Sequence, residues 1–232
     1  MLAILASRYD LAAAALVSRW AAHDAALLTC RDISTVGWRH QPEFPTQGTA
    51  VIGARPVSIS ELTAVLVRLP YVWETELEHI TPAARAYVGA EMTAFLVSWL
   101  SGLPCPVVNA PAAPCLAGPN WRPEKWFHTA ARLRIPVPGI ERHECLGKPI
   151  VPLESGAITV TVVGQRCFGA PNETLAVQSR LLAEAAGTEL LMVRFGANET
   201  GVRFLGADPF PDLSAPEVAD AVLECLLAGG RC

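Results

Sequence analysis

Apolar and polar positions alternate in blocks along the first third of the chain. Residues 2–6 form an unbroken apolar run, the pattern of a strand buried on both faces of a parallel sheet. Asp10 precedes a stretch whose Ala, Leu and Val recur at helical spacing, which predicts a capped helix over 11–23. A second apolar run over 26–29 completes a β-α-β unit, so the early sheet is expected to be parallel with a right-handed crossover. Residues 35–69 are β-branched and aromatic-rich, punctuated by Pro42, Pro45, Gly48, Gly53 and Pro56. Strands or hairpin arms added to the same sheet are expected at 36–38, 49–52 and 64–69.

A long helix is predicted over 82–100, with Thr81 as its cap and Pro82 in the first turn, where a missing N–H costs nothing. Pro104-Cys105-Pro106 stops it, and Val107-Val108 reads as a short strand. Residues 110–120 are rich in Ala, Pro and Gly and read as a linker. A helix over 122–133 follows, ending before Pro136-Val137-Pro138. The last third predicts a strand over 157–163, a turn at Gly164-Gln165 and a returning arm over 166–169. Beyond these come a helix over 175–186, a strand over 190–195, a polar turn over 198–201 and a returning arm over 202–205. Ser214 is placed to cap a closing helix that has Pro216 just inside it and runs to Leu227.

Composition narrows the class. In 232 residues, 51% hydrophobic and 17% charged content suits one large domain or two small ones with well-filled cores. The net charge of −4, with no basic cluster, argues against a nucleic-acid surface. No apolar run approaches the roughly 20 residues that span a bilayer, so no membrane partner is expected. The apolar start lacks a basic leader and reads as a strand, not a signal peptide. Seven dispersed cysteines without a CxxC pattern suit reduced thiols and a cytoplasmic location.

The string Pro106-Val107-Val108-Asn109-Ala110-Pro111, then Lys125-Trp126, then Arg134-Ile135-Pro136-Val137-Pro138, resembles a passage of the ATP-grasp ligases. The closer likeness is to those related to ribosomal-protein glutamate ligases and to ligases that modify ribosomal peptides. Residues 159–170 resemble the family's Arg-x-x-Val-Val-Gly hairpin, and residues 190–209 its closing metal-binding hairpin. The resemblance implies an α/β fold with a pre-ATP-grasp-like three-layer N-terminal domain over 1–110 and a reduced ATP-grasp-like α+β lobe over 120–232.

Against that family, parts are missing. A lysine strand should lead into a glycine-rich loop over the phosphates, yet only residues 139–156 separate Pro138 from Ala157. Lys148-Pro149 is at most the stump of that strand, and no phosphate-cradling glycines follow. The family sets an Asp on one strand and Glu-x-Asn on the next, because magnesium bridging nucleotide phosphates takes hard oxygen ligands. Here the matching positions are Arg194 or Phe195, then Gly206, then Asp208. The resemblance therefore implies degenerate nucleotide and metal positions at Lys148, Arg194 and Asp208, with no metal and no cofactor expected.

The remaining candidates concern binding. Arg8 follows the first strand, where open α/β sheets place ligands. Arg68 ends a central strand and fits a peptide-carboxylate binder, or equally an ion pair with Glu74 or Glu76. Asn109 closes the short strand. Trp121, Arg122 and Lys125 suit a peptide-contacting edge, with Trp as anchor and Arg as carboxylate fork, or plain packing with solvated charges. Residues 73–78 read as a solvated acidic loop. His143, Glu144, Cys145 and Cys167 offer zinc donors without finger-like spacing, and Cys145 with His143 or His128 could form a nucleophile–base pair. The expected function is a peptide- or partner-binding accessory protein in a peptide or natural-product modification pathway, with homo-oligomers possible. The alternatives are a carboxylate–amine ligase completed by a partner, and an ATP-independent enzyme using the remnant cleft.

Overall fold

The structure, a computed structural model, describes residues 1–138, 157–198 and 201–229. The chain divides into two units, Met1–Asn120 with Asp212–Cys232, and Trp121–Pro211. Both mix helices and sheets, so the fold is α/β as expected.

The first unit is built on a four-stranded parallel sheet. Its strands are β1 (Leu2–Leu5), β2 (Ala25–Leu28), β5 (Ala64–Val67) and β6 (Val107–Val108), in the order β2-β1-β5-β6. All four residues of β1 are fully buried, as an apolar run covered on both faces requires. Helix α1 (Leu11–Arg19) joins β1 to β2, and the Asp10 carboxylate caps it by accepting from the Ala13 amide at 2.9 Å. The helix stops at Arg19, short of the expected end, and a 3-10 turn over Ala21–His23 replaces its last turn.

Between β2 and β5 the chain departs from expectation. Helix α2 (Cys30–Ile33) opens with a capping box from Thr29 and Asp32. Residues 36–38 form no strand, and Val36 is 95% exposed. Strands β3 (Thr49–Ile52) and β4 (Arg55–Ser58) pair with each other in a separate two-stranded ribbon and do not extend the sheet. The ribbon turns through Gly53 and Ala54, with φ of +57° and +60°. A buried Asp32 carboxylate oxygen accepts the Ala54 amide at 2.8 Å and so holds that left-handed alanine in place.

Helix α3 (Arg85–Gly102) starts after a 3-10 turn over Pro82–Ala84, and Thr81 gives it no side-chain cap. Residues 110–120 are ordered, not a loose linker: Cys115, Leu116 and Ala117 are buried, and Ala112 and Cys115 exchange backbone hydrogen bonds. Helix α6 (Pro216–Leu227) has Ala215, not Ser214, at its cap position. The expected boundaries placed this helix in a 120–232 lobe; its contacts put it in the first unit, where Arg19 grips Asp220 through two hydrogen bonds of 2.8 and 2.7 Å.

The second unit is an antiparallel sheet with helices on one face. It holds α4 (Pro123–Arg132), β7 (Ile158–Val163), β8 (Arg166–Phe168), α5 (Glu173–Ala186), β9 (Leu190–Asn198) and β10 (Gly201–Asp208), with strand order β10-β9-β7-β8. Asn172 caps α5 and left-handed Gly187 ends it. Alternate residues Val160, Val162, Leu191, Val193 and Phe195 point into one core with Trp126, Leu175 and Leu182. Strands β9 and β10 run further than expected, and Glu199-Thr200 of the predicted turn lie outside the described residues.

The thiols of Cys30, Cys105, Cys115 and Cys167 are free, but Cys225 is disulfide-bonded, which corrects the expectation of reduced thiols throughout. Dispersed spacing in sequence carries no information on which sulfurs meet in space. Among the described residues no helix is long and apolar enough to cross a membrane.

Candidate functional site

The parallel sheet sets up the first cluster. From β1 the chain passes to β2 on one side, then returns to β5 on the other, so the direction of winding reverses between β1 and β5. At such a switch point a crevice opens beyond the carboxyl ends of the strands. The segments leaving β1 and β5 carry Arg8, Asp10 and Arg68 to this place, and the end of β6 brings Asn109.

These groups already engage one another. Arg68 Nε donates to Asp10 Oδ2 at 2.8 Å, with both side chains mostly buried. The sequence suggested Glu74 or Glu76 as its ion-pair partner; the fold supplies Asp10 instead, because β1 and β5 are neighbours. The positive charge of Arg68 also reaches Asp212, whose carboxyl is held below the ordinary range chiefly by the Ser214 amide and hydroxyl. Arg8 pairs with Glu78 and lies over the Tyr9 ring, and the Tyr9 hydroxyl donates to Glu78 at 2.8 Å. The bond from Arg8, then that from Tyr9, keeps the Glu78 carboxyl below its ordinary value. The 73–78 segment is therefore not a merely solvated loop: Glu74–Glu76 form a 3-10 turn and Glu76 is buried. Asn109 is 3% exposed and is held among other groups.

A cavity of about 570 Å³ lies beside α3 in the same unit. Its walls include Tyr71, Val72, Trp73, Gly89, Thr93 and Pro114. Thr93 stitches it together, donating to the Gly89 carbonyl at 2.8 Å and accepting the Val72 amide at 3.0 Å. Tyr71 and Trp73 meet edge to face at 5.3 Å, and Trp73 remains half exposed. Sequence reading missed this cavity, since its small lining residues, such as Gly89, look like ordinary helix content.

In the second unit, Trp121 and Trp126 rings stand 4.7 Å apart, and Lys125 Nζ sits 4.0 Å above the Trp121 ring. Trp126 is buried in the core, whereas Arg122, at the α4 cap position, is exposed. Lys125 thus already has a cation–π partner, and Arg122 is the exposed fork of the three. His128 is exposed on α4. Lys148, His143, Glu144 and Cys145 lie outside the described residues. Burial pushes the Cys167 thiol up, against the pull of Arg180.

The β9–β10 register settles which residues share a face. Phe195 pairs with Phe204, and both are fully buried in the core. Arg194 therefore points to the other face, opposite Gly206 on β10 and Thr159 on β7. Asp208 lies on that same face opposite Met192, and its Oδ1 accepts the Phe210 amide at 2.9 Å. Of the two residues expected at the first metal position, Arg194 shares a sheet face with Gly206 and Asp208, and Phe195 is in the core. Among the described residues no three His, Cys, Asp or Glu side chains gather as a metal site would need.

The sequence matches no family model and no curated protein. Solved structures share its fold. The macrocyclase MdnC of Microcystis aeruginosa MRC, bound with precursor peptide MdnA, matches at TM-score 0.72 and 12% identity over 98% of this chain and 99% of that one. A RiPP-associated ATP-grasp ligase of Chryseobacterium gregarium, in complex with ADP and a leader and core peptide, matches at TM-score 0.64 and 8% identity, covering 98% and 96%. The RimK domain protein ATP-grasp of Sphaerobacter thermophilus DSM 20745 matches at TM-score 0.55 and 15% identity, covering 97% and 99%. The fold of this chain is that of the ATP-grasp ligases.

Proposed function

We propose that this chain is a peptide- or partner-binding accessory protein of a peptide- or natural-product-modification pathway, working without the standard ATP and magnesium sites of its fold. The observation that carries this reading is the Arg194–Gly206 pair on β9 and β10. Magnesium bridging a triphosphate takes several hard oxygen ligands in near-octahedral geometry. Of the three positions where the fold's relatives supply them, Asp208 alone offers a carboxylate, and one of its oxygens already accepts a backbone amide. A guanidinium on the same face repels a divalent cation instead of holding one. These residues do not fit the metal.

A peptide role is supported by what remains. The cavity beside α3 offers an apolar wall with an aromatic residue at its mouth, the form in which interfaces take anchor side chains. The neighbours of known structure include proteins bound to precursor peptides. The test is thermal unfolding of the full chain with magnesium and ATP, and separately with synthetic leader–core precursor peptides of the kind its structural neighbours bind. A ligand at 100 times its Kd raises stability by about 2.7 kcal/mol. The expected result is no change with Mg-ATP and a clear rise with peptide. Stabilisation of the chain alone by Mg-ATP overturns the proposal, and stabilisation by Mg-ATP only in the presence of a partner enzyme favours the completed-ligase alternative.

A further inference from the structure

The face of the second unit's sheet opposite its helices carries two arginines, each set against a glycine. Arg194 on β9 stands opposite Gly206 on β10, and Arg203 on β10 stands opposite Gly196 on β9. Gly206 offers no side chain to Arg194 across the strand. A Cβ placed on Gly206 would sit 3.6 Å from Arg194 Nη2, so the guanidinium lies over the bare glycine backbone. The Gly206 φ of +158° also disfavours any other residue there.

We propose that this face is an oxyanion site, in which Arg194 takes a carboxylate or phosphate group directly, with no divalent cation between. The Arg194 Nε–H is buried and, among the described residues, meets no hydrogen-bond acceptor. A buried donor left unmade is unfavourable, and a structure keeps one where something else completes it. An oxyanion is the complement that a guanidinium fork fits, since two of its N–H groups donate in parallel to two oxygens. Among the described residues of β9 and β10, Asp208 is the carboxylate that shares the Arg194 face, two positions along the ladder opposite Met192. Hydroxyls are at hand as well, for Thr159 pairs with Arg194 and Thr161 is two residues further along the same face. The charge that a metal-binding face would present is thereby reversed in sign: negative donors for a cation have become positive donors for an anion.

This inference rests on the metal-free reading above, and the test separates the two. The full chain is titrated in EDTA with inorganic phosphate and, in a second arm, with triglutamate, and binding is followed by calorimetry. The arms distinguish a phosphate from a peptide carboxylate as the natural source, and binding in either one supports the site. Arg194→Gln is expected to weaken that binding by about tenfold, the loss of one charge-assisted hydrogen bond. Arg194→Lys, which keeps the charge and removes the fork, is expected to weaken it several-fold and guards against misfolding of the first variant. Arg180→Gln, a residue paired with Glu173 on α5, is expected to leave it unchanged. Binding in EDTA that ignores both Arg194 substitutions overturns this inference alone. No binding of either anion in any buffer does the same and leaves the accessory-protein reading standing. Binding that appears only with magnesium overturns both.

Discussion

Asp10 shows how much one side chain can hold. It caps α1 and pairs with Arg68 across two neighbouring strands. Asp10→Ala removes both, and a loss of about 2–4 kcal/mol is expected in urea unfolding, since a cap is worth about 1 and a charge-assisted hydrogen bond to a mostly buried arginine about 1.5–3. Asp10→Asn keeps the cap oxygen and should cost less; equal losses for the two variants would show that the ion pair contributes nothing. The cap could be read from sequence because it acts within one turn. The ion pair could not, because strand order decides that residues 10 and 68 meet. Cys30 gives a prediction in pH. Burial, then the charge of Glu76, pushes its thiol up to about 12 from an ordinary 9.0. Below about pH 9 the thiol is protonated folded and unfolded alike; above it the unfolded chain ionises first, so stability falls as pH rises from about 9 toward 12. Cys30→Ala should flatten that alkaline limb relative to the parent, and an unchanged slope would contradict the assignment.

Elements with strong periodicity were plain in the sequence: β1, α1, β5, α5 and the β7–β8 hairpin all lie within a few residues of where pattern and turn chemistry put them. Those that failed did so for identifiable reasons. Strand β4 contains Pro56, which signals a break, yet it lies in a two-stranded ribbon where one missing donor is tolerated. The cap of α3 failed because the Pro82–Ala84 turn comes first and absorbs the start signal. The ribbon's turn offers a test of its own. Ala54 holds a left-handed φ of +60° that costs an alanine more than a glycine, so Ala54→Gly should stabilise the chain by about 1 kcal/mol in thermal unfolding. Destabilisation instead would mean that the extra freedom glycine gives the unfolded chain outweighs the relief of the left-handed alanine. On α3, a Cβ at Gly89 would lie 2.8 Å from the Val72 carbonyl oxygen. Gly89→Ala must push the helix and the 71–74 segment apart, with an expected loss of about 1–3 kcal/mol and a distorted cavity mouth. The loss is read from urea unfolding and the distortion from the shift of the Trp73 indole N–H signal in NMR.

For the whole molecule, the fold was legible through a handful of motifs, while the grouping of its parts was not. Sequence order suggests a front half and a back half; the chain instead returns, and α6 completes the unit that β1 began. The Arg19–Asp220 fork that marks this return is exposed and screened by water, so removing it alone should leave the urea-unfolding midpoint almost unchanged. Truncation before Asp212 should be far worse, because α6 buries Val218, Val222, Cys225 and Leu226. The truncated chain is expected to lose hydrogen-exchange protection in β1 and β5; protection kept there would show that α6 merely decorates the unit. The return has a further consequence during synthesis. A nascent chain emerges from the ribosome at about 5–20 residues per second. Strands β1, β2, β5 and β6 must therefore wait for several seconds, their apolar surface incomplete, while the whole of Trp121–Pro211 is translated and free to fold ahead of them. Of the two units, the one begun earlier is the one completed later.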